Sequence, residues 1–246
     1  MKLLMKKEES GFTLIELIVV IVILGVLASA TTTFIRFATQ IYSETTARDQ
    51  LVSSARFAIE RLNRDVRNAL PNSLIVTNAN QCLEFIPIIE STSYTDIPVA
   101  PEDASDKIKV IPFTESFDSN WQAIVYPLTT NDIYTNSGKK HAVDTLDATG
   151  VEWVITLENT VVFAEDSPIR RMYFINDSNK VAYCLSSNTL TRNGIPMAQY
   201  IYNTNNPFEV QEATLQRNAM VQIHLQFEKN DEKITFNNEV QVLNVP

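Results

Sequence analysis

The sequence predicts an α+β protein in which one long N-terminal helix packs on an antiparallel β-sheet head. Residues 12–35 are almost wholly apolar, and apolar side chains then recur at helical spacing as far as residue 69. Beyond Pro71 the pattern changes to short segments rich in β-branched and aromatic residues, which are typical of strands. We therefore expect one helix followed by one β-rich domain.

The apolar run at residues 12–35 contains a single charged side chain, Glu16. At a rise of about 1.5 Å per residue, a helix over this run is about 36 Å long, which is enough to cross the hydrocarbon core of a bilayer. Lysines lie directly before the run, within residues 1–10, and basic residues favour the cytoplasmic side of a membrane. The pattern therefore predicts a cytoplasmic N-terminus and an external remainder.

An ordinary secretory signal is the alternative interpretation of this run. The tripeptide Ala28-Ser29-Ala30 offers small residues of the kind that mark a signal cleavage site. The run is long for a signal sequence, however, and Glu16 stands near its start. A carboxylate in hydrocarbon costs at least about 2.5 kcal/mol unless it is paired, so a charge at this place indicates a function.

The helical pattern continues after the apolar run, over residues 36–70. Its apolar positions are spaced by three or four residues, which places them on one face of a helix. These positions are Leu51, Ala55, Ala58, Leu62, Val66 and Ala69. The opposite face carries charged residues, namely Arg48, Asp49, Glu60, Arg61, Arg64 and Arg67. Pro71 cannot continue a helix, so we expect the helix to end near Leu70.

The β-rich domain is expected to occupy residues 71–246. The segments that predict strands are 73–78, 82–88, 107–113, 122–128, 151–163, 169–176 and 180–185. The polar stretches between them are expected to form long loops at 90–106, 129–150 and 186–218.

The clearest strand signal lies at residues 221–227, where apolar and polar side chains alternate. Strict alternation predicts a strand with one buried face and one wet face. A turn at residues 229–232 should connect this strand to a final strand at 234–245. We therefore expect a hairpin at the end of the domain.

Acidic residues are concentrated in the expected head. Residues 71–246 carry 22 acidic and 11 basic side chains, and the whole chain has a formal net charge of −9. A domain of this charge repels nucleic acid at long range, so no nucleic-acid partner is expected.

The chain has two cysteines, Cys82 and Cys184, and both fall in the part expected outside the cytoplasm. In an oxidising compartment a lone pair of cysteines is expected to form one disulfide. Two buried free thiols are the alternative.

No sequence pattern indicates catalysis or a metal site. The two histidines, His141 and His224, lie in no zinc or serine-hydrolase motif. Spaced acidic pairs occur in two expected loops, Asp103 with Asp106 and Asp144 with Asp147. They lack the spacing of a calcium-binding loop, and a solvated acidic loop is the simpler interpretation. We expect no enzyme, no cofactor and no metal.

The N-terminal string Gly11-Phe12-Thr13-Leu14-Ile15-Glu16, followed by an unbroken apolar run, resembles the motif of type IV prepilins and type II secretion pseudopilins. The resemblance implies that prepilin peptidase cleaves between Gly11 and Phe12 and that the new amino group of Phe12 is methylated. It also implies that Glu16 pairs with the amino group of a neighbouring subunit during assembly, which would supply a partner for the carboxylate.

Strings in the rest of the chain resemble a narrower group. Residues 58–69 are similar to the helix end of large minor pilins of the PilW type and of J-type pseudopilins. Four head segments resemble biogenesis proteins of the MSHA (mannose-sensitive haemagglutinin) pilus, namely 81–88, 181–185, 190–192 and 242–246. This resemblance implies a structural minor pilin that acts in pilus initiation and assembly near the tip. A J-type pseudopilin and a periplasmic binding protein anchored by a prepilin leader are the alternatives.

The resemblance implies a pilin fold. Together with the apolar and helical patterns, it divides the chain into a leader peptide (1–11), a membrane half of the helix (12–35), an amphipathic half (36–70) and a periplasmic head (71–246). It implies a single-pass protein of the bacterial inner membrane that is incorporated into the pilus. The expected partners are prepilin peptidase/N-methyltransferase, other minor pilins, the major pilin, the inner-membrane assembly platform and the lipid bilayer.

Overall fold

The computed structural model describes residues 11–114, 117–135, 137–202, 205–213, 217–230 and 232–243. The expected leader residues before Gly11 lie outside the described residues. The chain divides into two compact units, Met1–Asp49 and Gln50–Pro246.

Helix α1 (Leu14–Arg67) has 54 residues and contributes to both units. It ends slightly before Leu70, the expected end, because the next residues already pair with another segment. Ala69 forms a β-bridge with Pro87, and the N–H of Leu70 donates to the carbonyl oxygen of Ile86 at 2.9 Å. The prediction of one long N-terminal helix is confirmed.

In the first unit, α1 exposes its apolar side chains. In the run from Phe12 to Ile35, the exposed fractions of the large apolar side chains range from 42% at Val20 to 79% at Phe12. Among the described residues, α1 is the helix whose length and apolar composition are sufficient to cross a membrane. Among the described residues of the first unit, these side chains remain uncovered.

In the second unit, α1 buries the predicted apolar stripe. Leu51 is 2% exposed, and Ala55, Ala58, Leu62 and Val66 are fully buried. The prediction of an amphipathic helix over these residues is confirmed. The spacing of three and four residues places all of them on the face that packs against the strands.

The second unit continues with strands and short helices. The strands are β1 (Ile75–Thr77), β2 (Cys82–Phe85), β3 (Glu90–Asp96), β4 (Ser105–Val110), β5 (Gln122–Val125), β6 (Lys140–Asp147), β7 (Trp153–Val161), β8 (Arg171–Ile175), β9 (Val181–Ser186), β10 (Thr189–Arg192), β11 (Ile195–Ala198), β12 (Ile201–Tyr202), β13 (Phe208–Gln211), β14 (Met220–Lys229) and β15 (Glu232–Gln241). Helix α2 (Thr130–Tyr134) lies between β5 and β6, and a 3₁₀-helix (Asp177–Asn179) lies between β8 and β9.

These strands form two antiparallel sheets and a barrel. The first sheet has the order β1-β2-β9-β10-β11. In the second sheet β14 pairs with β12 and β13 along one side and with β15 along the other. Strands β3-β4-β7-β6-β5-β8 close into the barrel in that order.

The barrel is an insertion into the first sheet. All of its strands lie between β2 and β9 in the chain. Strands β2 and β9 are antiparallel neighbours, with Cys82 opposite Cys184 and Phe85 opposite Val181. The chain therefore leaves the sheet at β2, forms the barrel and returns beside the strand that it left.

Separate groups of buried apolar side chains stabilise these parts. The main core joins the stripe of α1 to strands of both sheets. A second core fills the barrel. A smaller group, between the barrel and the end of α1, contains Leu70, Ile86, Ile124, Ile133, Tyr173 and Ile175.

The expectation of long loops at 90–106, 129–150 and 186–218 is wrong, because these stretches contain β3, β6 and β10–β13. Pairing rather than apolar composition stabilises these strands. In β3, for example, two of the polar side chains become buried because β4 and β8 pair on either side of the strand: Thr92 is 8% exposed and Tyr94 is 3% exposed.

The predicted hairpin at the end of the domain is confirmed. Strand β14 pairs with β15 from Lys229↔Glu232 to Met220↔Gln241. The apolar positions of β14, such as Val221 and Leu225, are fully buried, as the alternating pattern predicts.

Truncation of the central residue of the helical stripe should destabilise the second unit. We expect Leu62→Ala to lower the free energy of unfolding by about 2–5 kcal/mol, because Leu62 is fully buried in the main core. Glu60→Ala, two residues earlier on the exposed face, is the matched control and should change it by at most about 0.5 kcal/mol. Denaturant unfolding of the purified full chain measures both; equal effects would contradict the assigned face.

Candidate functional site

The N-terminal segment places the predicted cleavage position just before α1. Thr13 caps the helix, since its Oγ1 accepts the N–H of Glu16 at 3.4 Å and its carbonyl oxygen accepts the N–H of Leu17 at 3.2 Å. Gly11 is exposed, and a Cβ added there would have no described atom within 4 Å apart from its chain neighbours. The Gly11–Phe12 peptide bond therefore lies outside the hydrogen-bonded helix and is not covered by the described part of the chain.

Glu16 lies in the first turn of α1, and its side chain is exposed. A negative charge at this end of a helix is favoured by the helix dipole by about 0.3–1 kcal/mol. Among the described residues, Glu16 forms no salt bridge. In an apolar surrounding its charge therefore needs a cation from outside this part of the chain.

The hydroxyl side chains near the end of the apolar run donate hydrogen bonds to the backbone of the helix itself. Thr31 Oγ1 donates to the carbonyl oxygen of Leu27 at 2.8 Å, and Thr32 Oγ1 donates to that of Ala28 at 2.7 Å. Such bonds allow hydroxyl side chains to lie in hydrocarbon. The tripeptide Ala28-Ser29-Ala30 is helical, so it presents no extended backbone of the kind that a signal cleavage site offers.

A partly buried carboxylate, that of Asp65, connects the amphipathic part of α1 to the first sheet. Asp65 Oδ2 accepts hydrogen bonds from Tyr183 Oη at 2.9 Å and from Arg192 Nε at 2.6 Å, and Arg61 Nε lies 3.1 Å from the other oxygen. Burial raises the pKa of Tyr183, and the charge of Asp65 raises it further. Burial alone would lower the pKa of Arg192, but its hydrogen bond to Asp65 raises it. These bonds orient β9 and β10 on the helix.

Sequence reasoning missed this carboxylate. Asp65 lies between the charged and the apolar faces of α1, and its side chain is only 12% exposed. Its position next to the apolar stripe could have predicted such a contact, because a charge beside a buried face needs a partner from the opposing strand.

The two cysteines form a disulfide between β2 and β9. Cys82 and Cys184 are directly opposite in the register of the two strands, and their Cα atoms are 4.1 Å apart. Their sequence separation is 102 residues, and the whole barrel lies within that interval. The disulfide therefore joins the two strands at which the barrel insertion begins and ends.

The other residues singled out in the sequence do not form a chemical site. His141 contacts the ring of Phe163, and its Nε2 lies 3.1 Å from the carbonyl oxygen of Gly138. Burial lowers the pKa of His141, and that hydrogen bond opposes the shift. His224 lies on β14, where Nδ1 is 3.1 Å from Asn237 Oδ1.

The spaced acidic residues on β6 are exposed. Asp144 lies at a bulge in the pairing of β6 with β7, and Asp147 lies three residues further along the strand. Asp147 Oδ1 accepts from the hydroxyl and the N–H of Thr149 at 2.6 and 3.1 Å, and these bonds lower its pKa. In the described part of the chain, no three His, Cys, Asp or Glu side chains come together to hold a metal ion.

A charge cluster around the buried Lys139, between α2 and the start of β6, was missed by sequence reasoning. Lys139 Nζ donates to Glu165 Oε2 at 2.6 Å and to the carbonyl oxygen of Tyr126 at 3.1 Å, and lies 3.5 Å from Asp132 Oδ2. Asp132 also accepts two backbone N–H groups at the start of α2, each at 2.9 Å. Burial opposes ionisation, but these backbone bonds hold the pKa of Asp132 below its usual value. The cluster fixes α2 on the barrel, since each of its charges is compensated.

The structure thus brings Gly11, Phe12 and Glu16 together at the start of α1, and Cys82 and Cys184 together at the base of the barrel. Comparison with known families identifies a motif that includes Gly11, Phe12 and Glu16. Residues 6–32 match the family model described as the prokaryotic N-terminal methylation motif. The chain matches no curated protein and no solved structure.

The match supports a pilin-like protein of the type IV pilus and pseudopilus class. The motif implies processing by prepilin peptidase and assembly with other pilins. With the exposed apolar helix, it fits a membrane-anchored protein that is incorporated into a pilus. It also indicates a structural subunit, a class that is generally not enzymatic.

The disulfide should account for both thiols and for much of the stability of the second unit. Thiol titration of the unfolded, unreduced chain should find no free thiol, whereas Cys184→Ser should release one, that of Cys82. The double variant Cys82→Ser/Cys184→Ser should be less stable by up to about 4–5 kcal/mol, because a loop of this length is no longer closed in the unfolded state. Two thiols in the unreduced parent chain would refute the bond.

Proposed function

We propose that this chain is a minor type IV pilin that acts in initiation and assembly of an MSHA-type pilus, near the tip of the filament, in the manner of the MSHA pilus biogenesis protein MshO. The observation that carries the proposal is the N-terminal methylation motif, located at the start of a helix whose apolar side chains are uncovered in the first unit. The resemblance of the head segments supports the choice of a minor subunit of this pilus.

The proposed processing site is the bond between Gly11 and Phe12, and the proposed methylation site is the amino group of Phe12. Gly11 precedes the cap residue Thr13, so cleavage would leave α1 intact. Cleavage also creates a cation at Phe12, close to Glu16 in sequence and in the same exposed segment. In an assembled filament the new amino group of one subunit would then be available to the Glu16 carboxylate of the next.

The proposed role of Glu16 is to pair with that amino group in a neighbouring subunit. The carboxylate forms no salt bridge among the described residues, and an unpaired charge is costly in hydrocarbon. A subunit therefore gains free energy when it enters a filament that supplies the cation. Because the pair forms only when the amino group lies beside Glu16, it would favour one position of the subunit along the filament axis.

Gly11→Val should block processing. A Cβ at this position has no described atom within 4 Å apart from its chain neighbours, so a failure of cleavage would reflect recognition by prepilin peptidase and not misfolding. Gly25→Ala is the matched control, since Gly25 is another open position in the same segment and its replacement should leave cleavage unchanged. Mass spectrometry of the mature parent chain should give a methylated Phe12 at the N-terminus. An N-terminus at Met1, Ser29 or Thr31 would contradict the proposed processing.

Glu16→Gln should leave the chain cleaved and inserted but unable to enter filaments, because the amide keeps the size of the side chain and loses its charge. Glu16→Leu should behave in the same way, whereas Glu16→Asp should retain part of the function. Pilus number per cell is the measurement, with subunit levels as the control. Normal piliation in both Glu16→Gln and a deletion strain would remove the assembly role.

A J-type pseudopilin of a type II secretion system is the second candidate, because the matched motif is shared by pilins and pseudopilins. The two candidates differ in what their loss affects. If deletion abolishes protein secretion and leaves pili intact, the pseudopilin assignment replaces the pilus assignment.

A further inference from the structure

Strand β15 forms the edge of the second sheet. It pairs with β14 in one continuous register, from Lys229↔Glu232 to Met220↔Gln241, and no bulge interrupts the pairing. Among the described residues, β14 is the strand partner of β15, and no strand pairs with its other side. A long regular edge strand without proline is a template for pairing with another polypeptide.

The hydrogen bonds of β14 show which backbone groups of β15 face outward. The N–H groups of His224 and Glu228 donate to the carbonyl oxygens of Pro207 and Tyr200 at 2.9 and 2.8 Å, away from β15. The odd-numbered residues of β14 therefore bond to β15, where their partners are even-numbered. The outward N–H and C=O groups belong to the odd-numbered residues Lys233, Thr235, Asn237, Glu239 and Gln241.

The side chains of β15 alternate in the same way. All odd-numbered positions are exposed. On the other face, Ile234 and Phe236 are half-buried against the main core, and Asn238 Nδ2 donates to Asn63 Oδ1 of α1 at 2.6 Å. An added strand would continue this face, so its own alternating apolar side chains would cover the exposed parts of Ile234 and Phe236.

The charged side chains on the exposed face of β15 indicate which charge an added strand should carry. Lys233 is already compensated, since its Nζ lies 3.3 Å from Glu228 Oε2 and above the ring of Tyr202. Glu239 Oε1 instead accepts a bond at 2.9 Å from the neutral amide of Gln222. A lysine or arginine opposite Glu239 on an added strand would form a favourable cross-strand pair.

We propose that β15 is a strand-addition site for an extended segment of another pilin-type subunit, one that alternates apolar and polar residues and carries a basic residue opposite Glu239. This inference rests on the proposed function, because it takes the partner from among subunits with the same N-terminal motif. The added strand would hydrogen-bond to the outward groups of β15 and extend the second sheet between subunits.

Photo-crosslinking in the host cell tests the site on the full chain. Benzoylphenylalanine at Asn237, in the middle of the outward edge, should form an adduct with an extended segment of a second protein that carries the N-terminal methylation motif. Thr235→Pro removes one outward N–H and should abolish the adduct, since proline at an edge position spares the β14 ladder. Thr235→Ala changes the same side chain and keeps the N–H, so the adduct should persist.

A second pair of variants tests the charge without altering the backbone. Glu239→Lys should reduce the adduct more than Glu239→Gln. Thiol titration checks that each variant retains the Cys82–Cys184 disulfide. An adduct formed by benzoylphenylalanine at Val151, which is 94% exposed between β6 and β7, should not respond to Thr235→Pro.

The outcomes are distinct. Absence of an adduct at Asn237, an adduct only with a second copy of this chain, or an adduct unaffected by Thr235→Pro and Glu239→Lys would each overturn the strand-addition site. Mass spectrometry of the N-terminus in the same cells separates this failure from failure of the proposed function. A chain that is cleaved before Phe12 but gives no adduct disproves only the site on β15.

Discussion

The burial of one helical stripe determines the arrangement of the sheets. Leu51, Leu62 and the small residues between them contact strands from both sheets in a single core. Each fully buried leucine contributes about 1.5–3 kcal/mol, and the alanines allow the strands to approach the helix closely. Because both sheets share the stripe, neither can shift along it without exposing apolar area. The polar bonds of Asn63 and Asp65 lie beside the stripe and fix which strands pack on each side.

The same helix meets a different requirement in the first unit. There its leucines, isoleucines and valines are uncovered, and the hydroxyl groups near them bond to the helix backbone. A contiguous apolar surface of this kind marks an interaction with lipid or with another protein. Within residues 12–35, Glu16 is the charged side chain, and neither lipid nor an apolar neighbour satisfies its charge. Its charge therefore selects among the possible neighbours, which apolar contact alone would not do.

The sequence was sufficient to predict the parts of the fold that depend on apolar periodicity. The stripe of α1 and the alternation in β14 were predicted because their apolar positions are determined by burial on one face. The strands β3, β6 and β10–β13 were missed because they are short or polar and gain their stability from neighbours that sequence periodicity does not show. The three polar stretches that contain these strands were therefore predicted to be loops.

The candidate site divides in the same way. The order of residues from Gly11 to Glu16 is local, so it could be identified in the sequence. The contact of Asp65 with Tyr183 and Arg192 joins residues more than a hundred positions apart, and only the folded chain brings them together. The buried Lys139 was likewise hidden, since its partners lie on a short helix and on a distant turn.

Because the barrel is an insertion between β2 and β9, heads of this kind can differ in the inserted part and keep the surrounding sheets. Its first and last strands are connected to adjacent, disulfide-linked strands, so a graft at this point needs no change in the path of the surrounding chain. A shorter turn or an unrelated module could occupy the interval while α1 and both sheets keep their core. Apart from the contacts that it makes with Leu70 and Ile86, the inserted part could therefore differ between lineages that retain the long N-terminal helix.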